Sequence, residues 1–202
     1  MNAAEASTVE DRAESRRRCA LELLAELRVV ERLSALGAVE VTGSVAHGLV
    51  VAHDIDIDVT ADTLETAACF AVVGELAADP RVVRVAYENA VERFGWLSFD
   101  IVCLAGGERW TIELYVNGPD ASCPGWTAEL ARVLSQSLTA EQRHAILELK
   151  EALADDPGYR SMDVYRAVVD GGVRDADEFL SWRVGNGSEE LARWLPGTVP
   201  PA

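Results

Sequence analysis

The sequence predicts an α/β (α+β) fold, a small mixed sheet flanked by helices, followed by a helical C-terminal region. Three observations carry this. From Val39 to Thr60, and again in runs between Val82 and Val116, apolar and polar residues alternate with the period of two that half-buried strands require. Before and after these runs, apolar residues recur at steps of three and four, as amphipathic helices demand. Glycine and proline punctuate the transitions. The division that follows is an α/β domain over residues 1–126, made of an N-terminal helix and a sheet, and a helical region over residues 127–202.

Taken in order, the first ten residues are small and polar. From about Asp11 to Leu36 one long helix is expected, because Leu21, Leu24, Leu27, Val30 and Leu33 form a stripe that Leu23 and Leu36 broaden. Gly37 stands where a C-cap belongs, and Arg16-Arg17-Arg18 reads as a solvated helix face. Val39 and Val41 then lead a strand into Gly43-Ser44, and Asp54 to Thr60 forms the next. Asp62-Thr63-Leu64-Glu65 resembles a capping box opening a helix to about Ala77, which Asp79-Pro80 breaks. Val82 to Tyr87 is a strand. Trp96–Leu104 and Trp110–Val116 flank the paired glycines Gly106 and Gly107 and read as a β-hairpin. Residues 117–125 are rich in turn formers and form a loop. Thr139 to Gln142 is a capping box for a helix to about Leu153, followed by helices near Met162–Val169, Asp175–Val184 and Ser188–Trp194, with an unstructured tail from Pro196.

Composition narrows the function. The chain of 202 residues carries 34 acidic and 18 basic side chains, a net charge of −16, which disfavours binding along a polyanion such as DNA or RNA. Lys150 is the only lysine and the arginines are scattered. With no apolar run of membrane-spanning length and no signal-peptide core, a cytoplasmic protein without a membrane partner is expected. The four cysteines, Cys19, Cys69, Cys103 and Cys123, show no CxxC spacing, so reduced thiols are expected and zinc is not.

The chemistry gathers between Val39 and Thr60. Glycine at position 43 lets the backbone approach a ligand closely, Ser44 adds a hydroxyl and an amide, and a short helix begun there would attract anions. Asp54, Asp56 and Asp58 alternate with Ile55, Ile57 and Val59, so the three carboxylates share one face of a strand and the apolar residues the other. Their mutual repulsion is relieved by a divalent cation that prefers oxygen, magnesium or manganese, which would also bind substrate phosphates. An EF-hand is ruled out, because the glycine and the terminal glutamate it requires are missing.

These residues resemble the signature of the polymerase-beta-like nucleotidyltransferase superfamily. In that signature a strand ends in a Gly-Ser turn and, about ten residues on, the next strand reads acidic, hydrophobic, acidic, hydrophobic. Here Gly43-Ser44 is followed by nine residues and then Asp54-Ile55-Asp56-Ile57. The pattern departs in two places. His47 stands where many relatives have arginine, and Asp58 allows a second pairing, Asp56 with Asp58, after an eleven-residue spacer. The pair at the strand entrance, Asp54 and Asp56, is preferred. The resemblance implies a third carboxylate on a later strand, for which Asp100 is the candidate and Glu113 the alternate. It also implies a metal-dependent transferase that moves a nucleoside monophosphate from an NTP such as ATP to a small-molecule hydroxyl or phosphate, with release of pyrophosphate. Gly43, Ser44 and His47 would bind the nucleotide, and Asp54, Asp56 and Asp100 would be the catalytic and metal-binding set. Transfer of AMP to a partner protein and non-catalytic nucleotide binding are compatible with the same residues. His144 and Glu148, one helical turn apart, read as an exposed pair. Tyr159, Arg160, Tyr165 and Arg166 combine base-stacking rings with phosphate-gripping forks, although aromatics at this spacing are commonly core.

Overall fold

A computed structural model describes residues 7–122, 124–156, 158–186 and 194–197. Helices α1 (Val9–Glu26) and α2 (Val29–Leu33) lead into strand β1 (Ala38–Val41), the short helix α3 (Gly43–His47) and strand β2 (Asp54–Thr60). Helix α4 (Thr66–Ala77), strand β3 (Val82–Ala90), the single turn α5 (Val91–Phe94) and the hairpin β4 (Trp96–Ala105) and β5 (Glu108–Asn117) follow. Helices α6 (Trp126–Ser137), α7 (Ala140–Ala152), α8 (Ser161–Val169) and α9 (Ala176–Asn186) complete the described chain. The sheet is mixed, in the order β1-β2-β5-β4-β3; β2 and β5 run parallel and every other pair is antiparallel.

The alternation of β2 sorts the two faces of this sheet. Ile55, Ile57 and Val59 lie in register with Ile112, Leu114 and Val116 of β5, which in turn face Ile101, Phe99 and Leu97 of β4. All nine are buried, and they form one core with the later half of α1, α2 and α4. The opposite face carries the polar rows. A second apolar cluster joins α6, α7, α8 and α9 to Leu49 and to Val9 and Ala13 at the start of α1, so that α1 belongs to both cores. Among the described residues, no helix is long and apolar enough to cross a membrane.

Several elements differ from expectation for local reasons. The N-terminal helix starts earlier, where Thr8 and Asp11 form a capping box, and it breaks at Arg28, which takes a left-handed conformation (φ 53°) beside its ion pair with Glu31. Gly37 caps no helix, since α2 ends at Ser34; a Cβ there would collide with the Thr60 carbonyl, so glycine is required where the chain crosses the end of β2. The Asp62 to Glu65 box does not form, because α4 begins only at Thr66 and Glu65 makes no side-chain cap. Strand β3 runs on to Ala90. The hairpin turn forms as expected, with Gly106 and Gly107 at φ 62° and 83°, and so does the Thr139–Gln142 box. The helix expected at Ser188–Trp194 lies largely outside the described residues.

Gly37→Ala is expected to cost about 2 kcal/mol or more, because the obstructing atoms are backbone and cannot rotate away. A urea unfolding midpoint equal to that of the unsubstituted protein would contradict this packing role.

Candidate active site

The Gly-Ser turn is built around one close approach. Gly43 has φ 56°, and a Cβ on it would fall onto the Asp56 carboxylate. Both conditions select glycine. The Thr42 N–H donates to the Asp56 carbonyl (2.9 Å), which locks the turn to β2. At the other end of α3, Gly48 adopts the left-handed C-cap (φ 71°) and cations collect the free carbonyls. Arg17 Nε donates to Val45 O (2.9 Å), the Arg143 guanidinium to His47 O and Gly48 O (3.0 Å each), and Lys150 Nζ to Leu49 O (2.7 Å). Arg17 therefore is not a solvated helix residue, as its basic run suggested; α1 and α7 together hold this loop.

The carboxylates lie in rows across the polar face. Asp56 pairs in register with Glu113 of β5, and Glu113 with Asp100 of β4. Burial, followed by the charges of Asp54 and Glu113, pushes Asp56 up to about 7. Burial and the charges of Asp54 and Asp100 also raise Glu113. Asp100 is solvent-exposed and a strand further out, about 10 Å from Asp56 at the usual interstrand spacing. The structure thus brings the alternate, Glu113, beside the Asp54–Asp56 pair, and leaves the candidate Asp100 one strand further away. Asp58 is already committed: it accepts from Asn117 Nδ2 (3.1 Å) and from Thr127 Oγ1, which ties the first turn of α6 to the sheet.

Above Asp54 and Asp56 lies a hollow of about 190 Å³ between α3, α6 and α8, lined by Thr42, Ser44, His47, Trp126 and Tyr165 among others. Among the described residues, three buried side-chain polar atoms lack a hydrogen-bond partner, Ser44 Oγ, His47 Nδ1 and Trp126 Nε1, and all three residues line this hollow. Buried polar atoms without partners are rare in folded proteins, and bound water, an ion, a ligand or local strain accounts for those that occur. Burial, with Lys150 and Arg143 nearby, lowers His47 to about 3, so its ring is neutral at physiological pH; it stands nearly perpendicular to the Tyr165 ring (5.2 Å between centroids). Lys150 is buried beneath, within 3.3 Å of the Tyr165 hydroxyl. Burial lowers it to about 8 against the opposing pull of Asp54 and Asp56.

Sequence reasoning missed Lys150, Trp126 and Thr127, which come from α6 and α7 and carry no local motif. The nearest signal was that the chain's only lysine lies among apolar residues of a helix. His144 lies away from the hollow and bonds Glu10 (2.7 Å). Of the aromatic and arginine group, Tyr165 reaches the hollow, whereas Arg160 pairs with Asp163 (3.1 Å) and Arg166 lies over the Trp182 ring.

Among the described residues, no three histidine, cysteine, aspartate or glutamate side chains converge on one point. The Asp54–Asp56 pair still fits magnesium or manganese, hard cations bound through one or two carboxylates with the remaining positions left to phosphates and water. It does not fit zinc, which takes three or four protein ligands.

No family model and no curated protein matches the sequence. Solved structures that share the fold include two complexes of one enzyme. One is the complex of the non-canonical poly(A) polymerase GLD-2 with GLD-3 (TM-score 0.57, 13% identity, covering 80% of this chain and 57% of that one). The other is the GLD-2/RNP-8 complex (TM-score 0.57, 15% identity, covering 77% and 54%). This chain spans little more than half the length of either. At these identities the likeness is one of fold.

Because Asp56 is raised to about 7 from an ordinary 3.8, its favourable protonated state is lost as pH rises through about 7, and without divalent cations the buried charge costs on the order of a few kcal/mol above that pH. His47, lowered to about 3, acts in the opposite sense below its ordinary 6.5, so the comparison must be differential. Asp56→Asn is expected to gain stability relative to the unsubstituted protein as pH rises from about 4 to about 7. Denaturant melts whose difference stays flat across that window would contradict the buried site.

Proposed function

We propose that this protein transfers a nucleoside monophosphate from an NTP to the hydroxyl or phosphate of a small molecule and releases pyrophosphate. The observation that carries this reading is the coincidence in one hollow of the Asp54–Asp56 pair, the Gly43–Ser44 turn and three unpartnered buried polar atoms. The Gly43 and Ser44 amides and the Ser44 hydroxyl would hold triphosphate oxygens, with the Trp126 N–H and the neutral His47 ring as further contacts. Asp54 and Asp56 would hold the divalent ions, which when bound neutralise charge on the triphosphate and the departing pyrophosphate. The acceptor oxygen forms a bond to the α-phosphorus, the bond from that phosphorus to the α–β bridging oxygen breaks, and the proton of an acceptor hydroxyl passes to a carboxylate. Glu113 would be that carboxylate, since it neighbours Asp56 and its raised pKa suits a base.

The acceptor would approach over the open part of the sheet, where Glu88, Trp96, Ser98, Asp100 and Tyr115 line a shallow hollow continuous with Glu113. Acidic and aromatic groups there, and the net charge of −16, favour a small acceptor over a polyanion. The second reading, addition to an RNA end, is favoured by the poly(A) polymerase neighbours. Pyrophosphate release should be measured from each of the four NTPs with magnesium or manganese, against a panel of small acceptors and an oligoadenylate, with mass spectrometry of the products. Metal-dependent release is expected with a small acceptor. Asp56→Asn should lower it by about three orders of magnitude, and Glu113→Gln by about two or more, as expected for loss of a general base. Asp100→Asn should change it only a few-fold. Full activity of Asp56→Asn would overturn the assignment, and loss in Asp100→Asn with retention in Glu113→Gln would restore Asp100 as the third carboxylate.

A further inference from the structure

The two edges of the sheet are unlike. Strand β1 has four residues, whereas β3 has nine, with no proline or lysine among them to discourage pairing. Among the described residues β3 pairs with β4 on one side only, and the bulge between Val82 and Arg84 leaves the stretch from Arg84 to Ala90 in regular register. Apolar side chains are exposed along it: Val85 (37%) and Tyr87 (38%), with Phe70 of α4 (45%) against the Tyr87 ring (4.8 Å between centroids). Arg84 and Glu88 share the other face of the strand. Among the described residues neither has an ion-pair partner, and at about 13 Å apart along a strand they cannot pair with each other.

We propose that β3 pairs with the β3 of a second copy of this chain, antiparallel about Ala86, so that two five-stranded sheets join into one. The segment Arg84-Val85-Ala86-Tyr87-Glu88 is complementary to itself in that register. Arg84 lies opposite the partner's Glu88 and Glu88 opposite the partner's Arg84, while Val85 and Tyr87 face each other's counterparts across the junction. Opposite charges and aromatic with β-branched residues are the cross-strand pairs that stabilise antiparallel ladders. A shift of register by two residues would lose both ion pairs, so the charges fix the alignment as well as favour it. The two-fold axis makes the contact isologous and closed, which limits assembly to a dimer. The net charge of −16 on each copy opposes association, but at physiological salt this repulsion is confined to about 8 Å whereas the pairs are in contact. Pairing also brings the partner's Arg84 to the outer end of the row formed by Glu88, Ser98, Tyr115 and Asp58.

Sedimentation equilibrium at physiological salt tests this on the full chain. The unsubstituted protein is expected to dimerise. Arg84→Glu and Glu88→Arg are each expected to weaken the dimer about tenfold or more, since each places like charges opposite one another at two symmetric positions. The double substitution Arg84→Glu with Glu88→Arg should return the dimer to within a few-fold of the original. Circular dichroism should be unchanged throughout, because neither side chain holds a hydrogen bond or ion pair within its own subunit. A monomer at every accessible concentration, a dimer that Arg84→Glu leaves intact, or a double variant that fails to recover would each overturn the proposal.

Discussion

The geometry of the site depends on how closely the Gly43 backbone lies against the Asp56 carboxylate. A side chain at position 43 would occupy the space the carboxylate fills, and φ 56° is strained for any other residue. That contact sets the turn that would hold phosphate directly over the group that would hold a cation. It also removes Asp56 from water beside Asp54 and Glu113, and the raised pKa of about 7 is the consequence. The fold tolerates this unfavourable cluster because the opposite face of the same strand, Ile55, Ile57 and Val59, is fully buried in the core.

The helical region completes the site. Arg143 and Lys150 of α7, with Arg17 of α1, take up the carbonyls that end α3, and Thr127 at the start of α6 fastens Asp58. Hydrogen bonds from charged donors are the strong kind, and here they grip backbone, so they fix the path of the loop. The hollow then closes with Trp126 and Tyr165 from helices distant in sequence. Lys150 is buried without a direct carboxylate partner, a costly state that the nearby charges of Asp54 and Asp56 offset. Sheet and helical region are therefore coupled through electrostatics as well as packing.

What was legible in the sequence was whatever local periodicity or turn chemistry dictates. The strand Asp54–Thr60, the hairpin about Gly106 and Gly107 and the Thr139 capping box all follow from short-range rules, and all are present. The single N-terminal helix and the Asp62 capping box did not form, because the chain turns left-handed at Arg28 and α4 begins only at Thr66. Period two placed Asp100 and Glu113 on adjoining strands but could not say which strand lies next to β2. The parallel pairing of β2 with β5 is a long-range choice, and it is what sets Glu113 beside Asp56. Arg17, Lys150 and Trp126 were beyond reach for the same reason.

The most direct test of the central claim is a manganese titration followed by electron paramagnetic resonance, with and without a non-hydrolysable NTP analogue. If Asp54 and Asp56 form a joint site for cation and triphosphate, nucleotide will tighten manganese binding and manganese will tighten nucleotide binding by the same factor, as linkage requires. Asp54→Asn and Asp56→Asn will each abolish that coupling. Nucleotide that binds equally well with and without manganese, or coupling that survives in both variants, would contradict the account.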